Sequence, residues 1–528
     1  MHSAAPLSRD RRPMPVPLRL VGLLVLASPA WAQAAPPPAR PVDLSPLARQ
    51  TLGLTSGPDA AAYAEGHAAL LALRPADARA AFRRLAARGH AAGGYGLNLA
   101  ALWEALITED DAAVGRFHAV NDSMARVADR LPDGASADWM RASVALHRAI
   151  VLSRAERYAR AGLAFRDACR RFRGLSRARG ASADVSFGQG VCEVAAGSVP
   201  RKYRWLVRLV GIGGTVTGGL DHLGRAADGG GADAMEATVI RAVVDESLNG
   251  GRAGAKADLR ALADAHPASP VLAYLVGYQH LTDRRAADAE AAFRRAERGL
   301  AGPGTLPLPT LPAHLGIALF RQDRFADAAP LLERFVERPR GLALVAQATL
   351  MAGLAREMSG DRRAAEAHYR RVRATRDYDT DLASAREAQR RLASPLTARG
   401  RTLVLGMTAY DGGRYREAVE RLAPVLADGG ADPTERAEAA YRTGRAHHAL
   451  REWQPALRAY RIAAAAGGDP LARWGPWARF HEGEVLEATG DASGARAAYR
   501  AVLADEREFD HSKSLEGRAR AALDRLGT

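Results

Sequence analysis

One spacing recurs along the chain and restricts what it can fold into: a small residue, alanine twelve positions later, and a bulky apolar residue four beyond that. It reads Gly277, Ala289, Phe293; then Gly316, Ala328, Leu332; then Gly353, Ala365, Tyr369. The same register returns as Gly406, Ala418, Leu422; Gly444, Ala456, Tyr460; and Gly483, Ala495, Tyr499. Upstream it is met at Gly66, Ala78, Phe82, at Ala149, Ala161, Phe165, Ala168, and at Val243, Ala255, Leu259. Two helices of a hairpin approach closely only where side-chain bulk is missing, so the small pair marks a crossing and the bulky residue a wedge against the next hairpin. Alanine is common throughout, which makes the aromatic sixteen residues after the small one the better discriminator; it recurs at Phe82, Phe165, Phe293, Tyr369, Tyr460 and Tyr499.

This spacing resembles the tetratricopeptide repeat, which implies an all-α fold, a right-handed superhelical solenoid of helix hairpins acting as a binding scaffold. Composition agrees: 48% of residues are hydrophobic but only 6% aromatic, which suits thin helices packed by small residues better than a thick enzyme core. No segment alternates with the period of a strand. The spacing organises the chain into N-terminal repeats over 49–250, central repeats over 251–393 and C-terminal repeats over 394–528. An additional helix, Asp381 to Leu392, interrupts the register before it restarts, and a polar last helix, Leu515 to Leu526, caps the stack.

At the front, Arg11, Arg12 and Arg19 precede a short apolar run, Leu20 to Ala27, followed by Pro29 and the small-x-small triplet Ala30-Trp31-Ala32. That order describes a secretory signal peptide over 1–32, cut before Gln33, with a start at Met14 giving a tidier leader. The apolar run is too short to span a bilayer. Alanine and proline over 33–48 read as a tether. The expectation is an exported protein, periplasmic or associated with an outer membrane. The formal net charge of +15 is carried almost wholly by arginine, and the leader's loss lowers it by three. A nucleic-acid partner is not expected from a basic balance of that origin.

Between Ser186 and Ala227 the spacing breaks into two short apolar helices around a glycine loop, with Gly188, Gly190, Pro200, Gly211, Ile212, Gly214, Gly219, Leu220 and Leu223. A nucleotide loop would need a third glycine and a preceding strand, and neither is there. This block resembles the signature of the tetratricopeptide-repeat 39 family, eukaryotic all-helical adaptors, although Thr215 and Val216 stand where that family has an acidic–arginine pair. The resemblance implies an interaction role. Cys169 and Cys192 are the only cysteines; in an oxidising compartment they could join the fourth hairpin to the glycine block, or remain two buried thiols.

Motifs for catalysis are missing. His481-Glu482 begins a zinc-protease string but Val485 holds the second histidine's place, and His447 and His448 diverge around a helix. No cofactor, metal or catalytic set is expected, and the chain is read as a non-enzyme. In stacked hairpins the first helices line the inner side, with exposed positions three before the small residue and one, four and five after it. Those positions hold Tyr274, Tyr278, Phe320, Arg321, Met407, Tyr410, Tyr441, Arg445 and His448, followed by Phe480 and Glu484, and the same wall is read to include Gln347, six residues before Gly353. Rigid rings with arginine between them suit an extended protein segment. The second helices carry Arg83-Arg84, Arg294-Arg295 and Arg370-Arg371, so the alternative is a basic ridge binding a polyanion or an anionic membrane surface.

Overall fold

A computed structural model describes residues 46–54, 57–108, 110–155, 157–179, 182–199, 213–229, 232–248, 251, 254–337, 344–374 and 379–527. The leader, most of the tether, and Pro200, Gly211 and Ile212 of the glycine block lie outside them. The described residues form twenty-five α-helices and no strand, so the fold is an all-α solenoid of tetratricopeptide-like hairpins. None of these helices is long and apolar enough to cross a membrane. Two compact units are distinguished, one comprising residues up to 276 with 295–308 and the other 277–294 with 309–528.

The first unit begins with α1 (Pro46–Leu52), which takes up the last residues of the tether. Five hairpins follow: α2 (Gly57–Leu71) with α3 (Pro75–Ala87), α4 (Ala91–Thr108) with α5 (Asp111–Asp129), α6 (Ala135–Arg154) with α7 (Tyr158–Arg179), α8 (Ala183–Gly197) with α9 (Val216–Asp228), and α10 (Ala234–Leu248) with α11 (Ala255–Ala265). From α2 to α11 each helix packs on the next in chain order, while α1 lies against the first helices α4 and α6. The hairpin α12 (Pro270–Thr282) and α13 (Ala286–Gly299) is crossed by the dividing line.

In the second unit come α14 (Leu311–Phe320) and α15 (Phe325–Val336), then α16 (Val345–Met358) and α17 (Arg362–Arg371), then α18 (Asp379–Ala393), the additional helix the sequence anticipates. The register restarts with α19 (Ala398–Asp411) and α20 (Tyr415–Ala427), α21 (Pro433–Ala449) and α22 (Trp453–Ala465), and α23 (Trp474–Ala488) and α24 (Ala492–Leu503), closed by α25 (Ser512–Arg525). Helix starts are fixed by local side chains: Asp361, Thr397, Asp432 and Asp491 each accept from a backbone N–H in the first turn of α17, α19, α21 and α24.

The small residues of the repeat sit where the spacing places them. A Cβ built on Gly66, Gly277, Gly353, Gly406, Gly444 or Gly483 would stand 2.4, 2.7, 2.5, 2.4, 2.6 or 2.6 Å from Phe82, Phe293, Tyr369, Leu422, Tyr460 or Tyr499. Each of those wedge side chains is almost fully buried. The tight turns also share a geometry. Leu73, Arg284, Asp323, Gly360, Gly413, Arg451 and Gly490 adopt positive φ two residues before the second helix. The next residue's N–H then bonds back to the first helix, as in Arg285 to the His280 carbonyl (2.7 Å) and Asp491 to the Leu486 carbonyl (2.8 Å).

The glycine block is a tight helix contact: Gly190 and Gly219 face one another across α8 and α9, and a Cβ on Gly219 would stand 2.8 Å from the Gly190 carbonyl oxygen. Cys169 of α7 and Cys192 of α8 are joined by a disulfide with Cα atoms 5.7 Å apart, which pins α8 beside the preceding hairpin.

The regular succession stops between α18 and α19. Helix α18 packs on α16 and α17 and reaches α25, and its arginines pair with the loops that precede α23 and α25, Arg390 with Asp469 (3.1 Å) and Arg386 with Asp510. Helix α19 instead lies against the turns of earlier hairpins. Asp323, in the α14–α15 turn, accepts from Arg414 (2.7 Å) and Arg421 (2.8 Å) and from the Thr408 hydroxyl. Arg401 reaches the Met358 carbonyl (3.4 Å) at the end of α16.

Candidate functional site

The first helices α19, α21 and α23 pack side by side because Gly406, Gly444 and Gly483 admit the wedges behind them. That register turns Tyr410, Tyr441, Arg445, His448, Phe480 and Glu484 toward one cluster. At its centre the Arg445 guanidinium donates to His481 Nε2 (2.7 Å) and to the Tyr441 hydroxyl (3.2 Å) and stacks over the Tyr410 ring at 5.6 Å. Because His481 Nε2 accepts, its proton sits on Nδ1 and is donated to Glu484 Oε2 at 2.5 Å. Burial, reinforced by the Arg445 charge, lowers His481 to about 4, so the ring is neutral at physiological pH. Burial alone would raise Glu484, but the His481 N–H and the nearby Arg445 overcome it and hold the carboxyl below its usual range.

Rings surround this chain of polar bonds. Tyr441 lies 5.4 Å from Trp474, Tyr460 stacks on His481 at 5.9 Å, and His448 meets both Trp453 (5.7 Å) and the Tyr460 hydroxyl (3.2 Å). Trp474 is flanked by the guanidinium groups of Arg442 (5.0 Å) and Arg473 (4.8 Å). The result is a surface of fixed aromatic rings and oriented arginines, preorganised by bonds made within the protein.

Not every residue assigned to the inner wall presents a face. Tyr274, Phe320, Tyr410 and Phe480 are buried at 2%, 1%, 6% and 4% exposure, so their contribution is packing. Tyr278 is 36% exposed with its ring edge-on to His314 at 5.4 Å. Arg321 spends one nitrogen on the Leu281 carbonyl (2.6 Å), tying two hairpin turns together. Gln347, Met407, Tyr441, Arg445, His448 and Glu484 are half-buried. Thus Tyr410, Tyr441, Arg445 and His448 converge, whereas Tyr274 belongs to the other unit and Phe320 and Gln347 stand outside the cluster. The positional rule missed His481, Trp474 and Trp477. A rule built on exposed positions passes over a buried histidine, but the density of rings between 474 and 481 was a readable signal.

The arginine pairs of the second helices are partly occupied: Arg84 binds Glu65 (2.5 Å), Arg294 lies 3.9 Å from Glu290, and Arg370 binds Glu366 (2.6 Å). Arg83, Arg295 and Arg371 are exposed.

The first unit holds a polar cluster no motif announced. Tyr63, Tyr95 and Asp233 are buried at 0%, 0% and 3%, and the Tyr95 hydroxyl donates to Asp233 at 3.2 Å. Asp233 is raised well above the usual carboxylate range by burial and by Glu236 and Asp184 nearby. Glu236 is raised by burial to about 7. Beside them Asn98, Asn121 and His147 form a buried chain of bonds, with Asn121 donating to Asn98 at 3.1 Å. Among the described residues no group of three or more histidine, cysteine or carboxylate side chains is arranged to hold a metal.

No curated protein matches the sequence. Solved structures similar to it include the APC/C hetero-tetramer Cut9-Hcn1, at 14% identity over 90% of this chain and 99% of that one with a TM-score of 0.22. Another is yeast Tom70, at 11% identity over 86% of this chain and 96% of that one with a TM-score of 0.29. The model of the family described as tetratricopeptide repeat matches residues 314–380 and 403–470, which take in the hairpins α14–α17 and α19–α22. The chain therefore carries tetratricopeptide repeats over those residues.

Proposed function

We propose that this protein is a non-catalytic scaffold that binds segments of partner proteins along the first helices α19, α21 and α23. The observation that carries the reading is the convergence of Tyr441, Arg445 and His448, half-buried and held in place by His481 and Glu484. Rings already fixed by internal bonds contribute contact area at little entropic cost to a bound segment. The likeness of the glycine block to the tetratricopeptide-repeat 39 adaptors fits the same role, as does the leader of an exported protein working in a periplasm or at an outer membrane.

The test is crosslinking in the native envelope with a photoreactive side chain in place of Met407, followed by retention of the captured partner on purified protein. Tyr441→Ala and Arg445→Ala are expected to weaken retention by about tenfold or more, the range of interface arginine and tyrosine hot spots. Unchanged retention by both variants rejects this wall. An export reporter fused after residue 48 tests the localisation, and retention in the cytoplasm rejects it. The alternative reading, a polyanion or anionic membrane surface on the second helices, rests on Arg83, Arg295 and Arg371; binding indifferent to high salt removes it.

A further inference from the structure

A groove of about 360 Å³ lies across α22, α23 and α24, away from the ring cluster, lined by Arg461, Ala464, Ala465, Arg479, Glu482, Ala498 and Ala501. Its construction is asymmetric. The alanine methyls of α22 and α24 form two low apolar sides, while Arg479 and Glu482 of α23, which packs between those helices, supply a polar floor. Arg461 donates to Glu482 at 2.8 Å and so accounts for the one carboxylate present. Arg479 makes no hydrogen bond or ion pair with any described residue; the nearby Asp505 is already held by Arg507 at 2.7 and 2.8 Å. The groove therefore has two guanidinium groups against one carboxylate and a half-buried fork of donors left to be filled.

We propose that this groove receives an acidic side chain from a partner protein, an aspartate or glutamate whose neighbour in sequence is a small aliphatic residue. A planar guanidinium matches a carboxylate with two parallel bonds, which is the geometry Arg479 has free. Alanines on both sides let a partner backbone come close and give an aliphatic neighbour methyl contacts. An acyl chain is disfavoured because it would lie on the polar floor, where burying the Arg479 charge against methylene groups has a desolvation cost. The volume is at the small end of ligand sites, about 300 to 1,000 Å³, which suits one or two side chains.

The experiment is fluorescence anisotropy on the full chain with a labelled peptide of alternating glutamate and valine, its glutamine counterpart, and phosphatidylglycerol vesicles. The glutamate peptide is expected to bind and the glutamine peptide not to. Arg479→Gln is expected to weaken binding by about tenfold or more, as loss of a charge-assisted pair does. Ala498→Phe, which keeps Arg479 but fills the groove from the opposite side, is expected to do the same. The exposed Arg363→Glu and the ring-cluster variant Arg445→Ala are expected to leave it intact, so this site and the scaffold wall fail independently. Equal binding of both peptides, equal loss in Arg363→Glu, indifference to both groove variants, or binding to vesicles alone would each overturn the assignment.

Discussion

Substituting alanine for Gly96 in α4 tests the wedge argument where it is most constrained. The Phe82 ring is buried at 0% exposure and lies against two glycines at once. A Cβ on Gly96 would stand 2.1 Å from Phe82 Cδ1, and one on Gly66 would stand 2.4 Å from Phe82 Cε1. Carbon atoms at rest lie about 3.5 to 4.0 Å apart, so the ring must retreat from α4 by more than about 1 Å toward a helix that already touches it. Overpacking of this kind costs about 1 to 3 kcal/mol, while alanine's better helix propensity returns about 1 kcal/mol. The net expectation is a loss of up to about 2 kcal/mol, with no net gain.

The control is Gly115→Ala in α5, where nothing lies within 4 Å of the new methyl and the same substitution is expected to stabilise by up to about 1 kcal/mol. A chain of stacked hairpins need not unfold as one transition, so the readout is amide exchange in α2 to α5, with thermal denaturation beside it. Phe82→Leu made together with Gly96→Ala should recover part of the loss, a coupling of about 1 kcal/mol between contacting residues. If Gly96→Ala stabilises as Gly115→Ala does, small residues are not what permits these crossings and the reading of the repeat fails.

Three further outcomes follow from named groups. Glu236 is raised from 4.5 to about 7, so the native state holds its proton where the unfolded chain has lost it, and stability falls as pH rises across that interval, by about 3 kcal/mol at most. Glu236→Gln should therefore raise the melting temperature at pH above 7 and flatten the pH dependence; an unchanged profile refutes the burial argument. Replacing Cys169 and Cys192 by serine opens a link of sequence separation 23, worth about 3 kcal/mol on the loop-entropy model, and should raise exchange in α7 and α8 while sparing α19 to α24. Asp323→Asn keeps a residue tolerant of positive φ but loses the charge that Arg414 and Arg421 share, and should loosen α19 by about 1 to 3 kcal/mol in exchange measurements.

The small-to-bulky spacing by itself determined that the chain is all helical, where most hairpins cross and which side chains wedge them, because a close crossing between helices is a local requirement expressed in residue size at fixed intervals. It also marked the interruption at α18 and brought Tyr441, Arg445 and His448 out as neighbours on first helices. Gly96 escaped it, since that glycine serves the wedge of the preceding hairpin and has no wedge of its own at the expected distance. The remaining features are contacts between residues far apart in the chain. Tyr95 meets Asp233 across a sequence separation of 138, Thr408 meets Asp323 across 85, and Tyr441 meets His481 across 40. No periodicity specifies such pairs, because they depend on how far each hairpin is rotated on the last. Only the tertiary structure decided that Tyr410 is packed under arginines while Tyr441 remains within reach, and that Arg479 is left with an open face.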